Sequence, residues 1–525
     1  QVVHLQIGRL LLQNTQPEVL SEEIFQIIDH LNLGVELVTH QQERDKIAKL
    51  NLMAGEKAKA ATAYDAAVEY FNAGIKLLSA QSWQNEYDLT LALYEEAAAA
   101  AYLNGDFIAM EQLAEVVLNH AKTTLDKVKV YNSKIQAAVS RTKLKEAIKI
   151  GLQVLEQLGV ILPENPSKLD IQKAFEETAA LYTGREIEDL INLPKITEPE
   201  LQAAIHIMSS ITVAAYTAAP ELVLLLSISQ ANLSIKHGNS TSSIFGYVCY
   251  SAALCATFQD IETGYKFGKL GLKLLERLNA VKNKAQVFNV FGGCVMFWKE
   301  HLRKTIPMLS EGYQSGVETG DFECASGCAF FICNHLYFFG DELTELERKT
   351  AAYSNSIRQL RREQFLNWTL TSWQAVLNLL GQTENPCKLI GNAYNEERAL
   401  PYAIAVNDRS QLHLLHLHKL ILSYLFGEYD QAIENAAIAE QYLDGVIAQL
   451  VIAIFYFYDS LAHLRLLAET SNPDKEVLLD RINSNQAKMQ HWAHHAPMNF
   501  LHKFHLVEAE KARVLGQVLA AEEYY

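Results

Sequence analysis

The feature that most constrains this chain is a turn that recurs along it. A turn residue is followed by a polar residue, then an apolar or aromatic one, then a small residue three positions further on. Gly427-Glu428-Tyr429-Asp430-Gln431-Ala432 is the clearest copy, and Gly105-Asp106-Phe107 with Met110 is a second. Tyr64 with Ala67, Leu144 with Ala147, and Ile261 with Gly264 are weaker copies. A glycine in the left-handed conformation closes one helix, an Asp beside it caps the next, and the aromatic ring packs back between the two. Such a unit buries its apolar face only against its neighbours, so a chain built from it folds as a stack. The expectation is an all-α fold: an α-solenoid, or superhelix, of divergent tetratricopeptide-type helix-turn-helix repeats. Solenoids of this kind offer extended binding surfaces.

The spacing of the turns divides the chain. Residues 1–50 read as the helical tail of a preceding module. Ser21 is the expected N-cap of a helix whose Ile24, Ile27, Ile28 and Leu31 share one face. Residues 51–160 form a first repeat block, with helix pairs predicted at 51–59 and 64–78, 88–103 and 107–118, and 129–141 and 144–158. The anchors Tyr64, Phe107 and Leu144 lie 43 and 37 residues apart, beyond the 34-residue unit of the type repeat. Residues 161–200 read as a connector with helices. Leu162-Pro163-Glu164-Asn165-Pro166-Ser167 stops one helix, and Thr197-Glu198-Pro199-Glu200 is a capping-box start for another. Residues 201–525 form a second block, with anchors at Ile261, Leu302, Leu343 and Tyr429. Their gaps of 41, 41 and 86 residues imply one unit without its signature, placed near the loop Gly381-Gln382-Thr383-Glu384-Asn385-Pro386. Ser471-Asn472-Pro473-Asp474 reads as another loop. No run alternates long enough for a sheet.

Composition narrows the function. A net charge of −16, with 45 Lys and Arg against 61 Asp and Glu, repels phosphate backbones and anionic lipid, so nucleic acid is not an expected partner. Arg358, Arg361 and Arg362 form a local basic stretch, read as a solvated helix face, with a docking patch for an acidic partner as the alternative. Seven Cys without framework spacing suit a reducing, cytoplasmic setting. The chain starts Gln1-Val2-Val3-His4 and stops at Glu522-Glu523-Tyr524-Tyr525, where a further turn would be expected. Both ends read as cut from a longer polypeptide. Ile207 to Leu226 is interrupted by Pro220 and Glu221, and Val446 to Tyr458 runs into Asp459, so both read as buried helices and not as membrane spans.

Several constellations fall short of chemistry. Gly264-Tyr265-Lys266-Phe267-Gly268-Lys269-Leu270 has one residue too few between its glycines for a phosphate loop, and Leu270 stands where a Mg²⁺-holding hydroxyl is needed. It reads as small-residue packing, with Gly271 continuing the series. Cys324, Cys328, Cys333 and His335 are zinc-type ligands, but one helix turns Cys333 away from Cys324. The pairs His413 with His416 and His502 with His505 have metal-compatible spacing. With His418, His491, His494 and His495, they read as partly exposed helix residues. His301-Leu302-Arg303-Lys304-Thr305-Ile306-Pro307 only faintly echoes a phospho-acceptor box. Glu95-Glu96 and Glu396-Glu397 are adjacent and diverge on a helix. No catalytic, cofactor-binding or metal residue is expected. The residues singled out are Gly105, Asp106, Phe107, Ala147, Gly427, Tyr429 and Ala432, as structural repeat turns.

The stretch Ala58 to Phe71 (AKAATAYDAAVEYF), the stretch Tyr87 to Glu95 running on to Leu103-Asn104-Gly105-Asp106-Phe107, Ala147 to Leu152 running on to Leu158-Gly159-Val160, and Phe267-Gly268-Lys269-Leu270 together resemble the helical mid-region of very large bacterial signalling proteins, common in cyanobacteria. Those proteins carry a Ser/Thr protein kinase, an AAA/STAND-type ATPase, this helical region, a GAF sensor and often a histidine kinase. The resemblance covers most of the chain. It implies that residues 1–50 end the ATPase module and that kinase and ATPase activities belong to other parts of the parent. The expected function is a non-catalytic scaffold or regulatory arm that holds a protein partner or flanking domains of the same polypeptide. A small-molecule-sensing arm is the alternative.

Overall fold

The computed structural model describes residues 1–469 and 475–525, so the loop expected at Ser471 to Asp474 lies outside the described residues. Helices dominate, no strand occurs among the described residues, and the extended pairings are the isolated bridges Lys195 with Asn239 and Ile390 with Asn395. The fold is all-α, a helical-repeat solenoid. It comprises two units: residues 1–164 with 198–214, and residues 165–197 with 215–525.

Unit 1 is a series of helix hairpins. Gln41–Ala60 pairs with Tyr64–Leu77, Tyr87–Leu103 with Phe107–His120, and Val128–Ser140 with Leu144–Gln157. These follow the predicted pairs within a residue or two, except that the first helix starts at Gln41 and runs continuously through residue 50. Small residues set the approach of paired helices: a Cβ on Gly55 would come within 2.4 Å of the Phe71 ring, and Ala54, Ala58, Ala67 and Phe71 are buried together. Full burial of a side chain such as Phe71 stabilises by about 2–3 kcal/mol. Ser21 is not a cap. The helix Leu20–Leu33 starts two residues earlier than that cap would place it, with Val19 at the cap position and no side-chain bond. The Val19 carbonyl instead accepts from the Glu22 and Glu23 amides. Ile24, Ile27, Ile28 and Leu31 do share the buried face.

In unit 2 the helix Lys168–Tyr182, opened by a Ser167–Asp170 capping box, packs on Pro220–His237. Asn239 ties the extended stretch after it to this unit. Its side-chain amide donates to the Leu190 carbonyl at 2.8 Å, and its backbone amide donates to the Pro194 carbonyl at 2.7 Å. Hairpins follow: Thr241–Ala256 with Ile261–Arg277, Thr305–Thr319 with Phe322–Phe339, Leu343–Gln359 with Glu363–Leu379, and Arg409–Leu425 with Tyr429–Glu440. Val451–Glu469, Lys475–His495 and Pro497–Val514 pack in succession after these.

One backbone device joins the hairpins. After the last helical residue come one cap residue and a left-handed residue, then one linker, then the next helix. Gly105, Gly427 and Gly516 hold φ of +81°, +84° and +74°. Thr62, Thr142, Arg361 and Asn407 do the same job at +59°, +59°, +56° and +52°. At Gly105 the Asp106 amide reaches back to the Ala101 carbonyl at 2.9 Å. At Thr142 the Lys143 amide reaches the Ala138 carbonyl at 2.8 Å. This is the Schellman closure of a helix end. Arg361 and Arg362 therefore lie in a turn and do not extend a helix face. Arg362 pairs with Glu323 at 3.0 Å, while Arg358 in the preceding helix donates to Asn355 at 2.6 Å.

Unit 2 departs from simple stacking after Lys284. The helix Lys284–Val290 widens into a π turn at Phe291–Val295 and tightens to a 3₁₀ turn at Met296–Trp298. Leu302, expected to open a helix, lies in a second short turn, Leu302–Lys304, before Thr305–Thr319 begins. A disrupted helix frees backbone groups that need partners. Asn499 supplies them: its side-chain amide donates to the carbonyls of Phe297 at 2.7 Å and Glu300 at 2.8 Å, and its Oδ1 accepts from the Leu302 amide at 3.0 Å. Around this latch the Trp298 ring meets Trp492 and Phe500 at 5.4 and 5.5 Å. Early and late hairpins thus share one core, running from Ile171 to Val507.

One helix stretch, Val451–Ala468, is long and apolar enough to cross a membrane by length and composition, but 67% of it is buried inside the protein. Its Asp459 is fully buried, accepts from both Nε and Nη2 of Arg481 at 2.9 and 2.8 Å, and accepts from Asn485 at 2.7 Å. These contacts mark it as a core helix of unit 2.

Candidate interaction surface

The first turn singled out by sequence builds a surface in unit 1. Gly105 lets the chain reverse, and Asp106 Oδ1 accepts from the Ala109 amide at 3.0 Å, fixing the first turn of Phe107–His120. Phe107 then lies 6.5 Å from the Tyr102 ring, with the Arg141 guanidinium over it at 5.5 Å. Met110, three residues on, is fully buried. Gly105, Asp106, Phe107, Ile108, Glu111 and Arg141 line an open groove of about 500 Å³. Ile108 stands in it 74% exposed. An exposed branched apolar side chain flanked by Arg141 and Glu111 has the makings of a protein-binding spot: an apolar anchor with charged neighbours for orientation. Sequence reading missed Ile108 and Arg141. The signal was an isoleucine directly after the aromatic anchor, where the helix faces water.

The remaining turn residues are not gathered there. Ala147 is fully buried in the next hairpin of unit 1. Gly427, Tyr429 and Ala432 belong to unit 2. The Tyr429 hydroxyl accepts from Arg465 at 2.9 Å, and Ala432 is fully buried. Leu425 and Phe426, just before Gly427, are 52% and 46% exposed.

The other constellations resolve into packing. Gly264, Gly268 and Gly271 line one face of Ile261–Arg277, where added Cβ atoms would meet Cys255 Sγ at 2.5 Å, Phe291 at 2.5 Å and Val248 at 2.4 Å. All seven thiols are free and buried, and burial pushes Cys294 and Cys333 up to about 12. Buried His335 shares a hydrogen bond of 2.8 Å with Thr305 Oγ1. Among the described residues no group of three or more His, Cys, Asp and Glu is placed to hold a metal.

The histidines of Arg409–Leu425 are the clearest departure from expectation. Read from sequence as partly exposed, His413, His416 and His418 are all buried. They also diverge: His413 Nδ1 pairs with the Ala439 carbonyl at 2.9 Å, His416 Nδ1 with Asn435 Oδ1 at 2.8 Å, and His418 Nε2 with Ser372 at 3.0 Å. Burial holds His413 down to about 4 and His418 down to about 3. The helix is packed on more than one side, so the usual polar face is inside. His491, His494 and His495 lie together near the surface, and His491 Nε2 is 3.1 Å from the Gln259 carbonyl. His301 caps the turn after it, its Nδ1 accepting from the Arg303 amide at 3.1 Å. The adjacent acids serve ion pairs: Glu95 and Glu96 share Lys129 at 3.1 and 3.7 Å and Glu96 also pairs with Lys59, while Glu396 pairs with Lys419 at 3.0 Å and Glu397 is exposed.

No family model matches the chain. The hybrid signal transduction histidine kinase G of Dictyostelium discoideum is 22% identical over 421 residues, which is 72% of this chain and 12% of that protein. The match therefore spans a small part of a signalling protein. Two solved structures align over nearly the whole chain at 12% identity. One is Naa15/Naa10 bound to HypK-THB, with a TM-score of 0.26, covering 98% of this chain and 89% of that one. The other is a circular tandem repeat protein with novel repeat topology, with a TM-score of 0.13, covering 99% and 97%. These superpositions are loose, and the fold rests on the helices and turns of this chain itself.

Proposed function

We propose that this chain is a non-catalytic helical-repeat scaffold, the regulatory arm of a multi-domain signal-transduction kinase. It would act in the cytoplasm by holding a protein partner or flanking domains of its own polypeptide. The observation that carries this reading is the open groove at the Gly105 turn, where Ile108 is 74% exposed beside Arg141. The 22% identity to part of a hybrid histidine kinase supports a place in signalling. The resemblance to bacterial proteins with Ser/Thr kinase, STAND-type ATPase, GAF and histidine kinase modules supports the regulatory role. In this reading residues 1–50 continue a preceding module, and the array conveys a switch in that module to those that follow.

The test is binding in trans. Flanking modules of the parent polypeptide, produced separately, are titrated against the 525-residue chain by isothermal calorimetry. Saturable binding that weakens at least about tenfold with Ile108→Asp, the scale of losing one anchor residue, is the expected result. Flanking modules that do not bind, or that bind Ile108→Asp unchanged, would remove the reading.

A further inference from the structure

The Asn499 latch leaves a cleft in unit 2. It draws on four separated stretches: His301 and Leu302, Phe338 and Phe339, Leu450 and Ile454, and the start of Pro497–Val514. Its volume is about 100 Å³. A closed apolar cavity of about 150 Å³ takes up a benzene-sized molecule, so an open cleft of this size suits a compact apolar body with part of it at the mouth. The walls are Phe338, Phe339, Leu450 and Ile454, the last two buried.

At one end stands Lys503. Its Nζ donates to His502 Nε2 at 2.8 Å and lies 3.3 Å from the Asn499 carbonyl. Those are neutral partners, and no carboxylate among the described residues pairs with it. The other charged or titratable groups lining the cleft are His301 and His502, and just outside it the Arg303 guanidinium covers the Phe339 ring at 4.3 Å. A chain with 61 acidic side chains thus leaves a partly buried ammonium without one, in a cleft it shares with Phe338, Phe339, Leu450 and Ile454. A desolvated cation of this kind is normally paired.

We propose that this cleft binds a small carboxylate with a compact apolar body, its carboxylate on Lys503 and its apolar part against Phe338, Phe339 and Ile454. Burial holds the Lys503 ammonium down to about 8, and an incoming carboxylate would offset that desolvation. Charge and shape agree on the ligand class: one anionic head and one short apolar tail, as ligand pockets combine an apolar lining with few polar groups. The inference gives chemical content to the sensing-arm alternative and does not depend on the scaffold reading, which concerns a groove in the other unit.

Benzoate is the probe, with benzyl alcohol as its uncharged counterpart, titrated by calorimetry against the full chain. Saturable benzoate binding at least about tenfold tighter than benzyl alcohol is expected, the difference one charge-assisted contact supplies. Lys503→Met should erase the preference and Lys503→Arg should keep it, with thermal melts confirming that both variants fold. Should Lys503→Met not fold, Met498→Trp at the exposed mouth replaces it and should block benzoate. The proposal fails if benzoate does not bind in the millimolar range. It also fails if Lys503→Met binds benzoate as the parent does, or if benzoate and benzyl alcohol bind alike.

Discussion

Units 1 and 2 are built from the same hairpin, yet they distribute their cohesion differently. In unit 1 the buried clusters are short in sequence: one spans Leu5 to Ala100 and another Ala98 to Ala137. Each hairpin leans on the next, as in a one-dimensional stack. In unit 2 a single core runs from Ile171 to Val507, and Asn499 bonds to Phe297, 202 positions away. Tyr216 donates to the Ile447 carbonyl across 231 positions. The same repeat therefore yields a stack in one region and a closed body in the other. What separates them is not the hairpin but the interruption that follows Val290, where the freed backbone groups of Phe297, Glu300 and Leu302 take a distant partner. The difference predicts graded stability in unit 1 and all-or-none behaviour in unit 2.

Acid should separate the units most. His335, His413 and His418 are buried in unit 2 and held down to about 3, 4 and 3. Each stays neutral in the fold and gains a proton on unfolding below its ordinary value near 6.5. The stability is complete above that value and drains as pH falls toward the folded values. From pH 6.5 to 5 each histidine removes about 2 kcal/mol. Hydrogen exchange followed by mass spectrometry should show unit 2 peptides losing protection first. Equal loss in both units would break the comparison.

Next in size is the latch. Asn499→Ala leaves the Phe297 and Glu300 carbonyls and the Leu302 amide without their partner, at about 1–3 kcal/mol for each group that stays dry. Urea titration read by exchange should shift residues 284–304 together with the helices Lys475–His495 and Pro497–Val514 while leaving unit 1 in place. A loss confined to the helix carrying Asn499 would show that the closure contributes little.

The turns should give the smallest effects, and of opposite sign. Gly105→Ala forces a side chain into φ +81° and should destabilise its hairpin by about 1 kcal/mol. Thr142→Gly relieves the same strain at φ +59°, but loosens the unfolded chain, so a gain of at most about 0.5 kcal/mol is expected. Thermal melts of both variants, alongside the wild type, measure the pair. A destabilising Thr142→Gly would mean that its side chain contributes more than its backbone strain costs.

These turns also explain what sequence could reveal. Gly105 and Gly427 were legible because glycine announces a left-handed backbone and Phe107 or Tyr429 follows at fixed distance. Arg361 and Asn407 take the same conformation without a glycine to mark it, so the unit between Leu343 and Tyr429 could be inferred only from the 86-residue gap. Helix limits such as Leu144–Gln157 followed from local periodicity. The burial of His413, His416 and His418 did not, because it depends on helices packed around that one from elsewhere in the chain. Ile108 was present in the pattern but had no alternation to mark it. Lys503 gained its setting only through closure.

Asn499 has one more consequence, for the order in which the protein is made. The backbone at Phe297 to Leu302 leaves the ribosome about 200 residues before its partner, which at roughly 5–20 residues per second is a wait of about 10–40 s. Unit 1 has all of residues 1–164 in hand long before then and can settle hairpin by hairpin as it emerges. Unit 2 holds open an incomplete interior for that interval, and nascent-chain chaperones should engage it most strongly between the synthesis of Trp298 and that of Phe500.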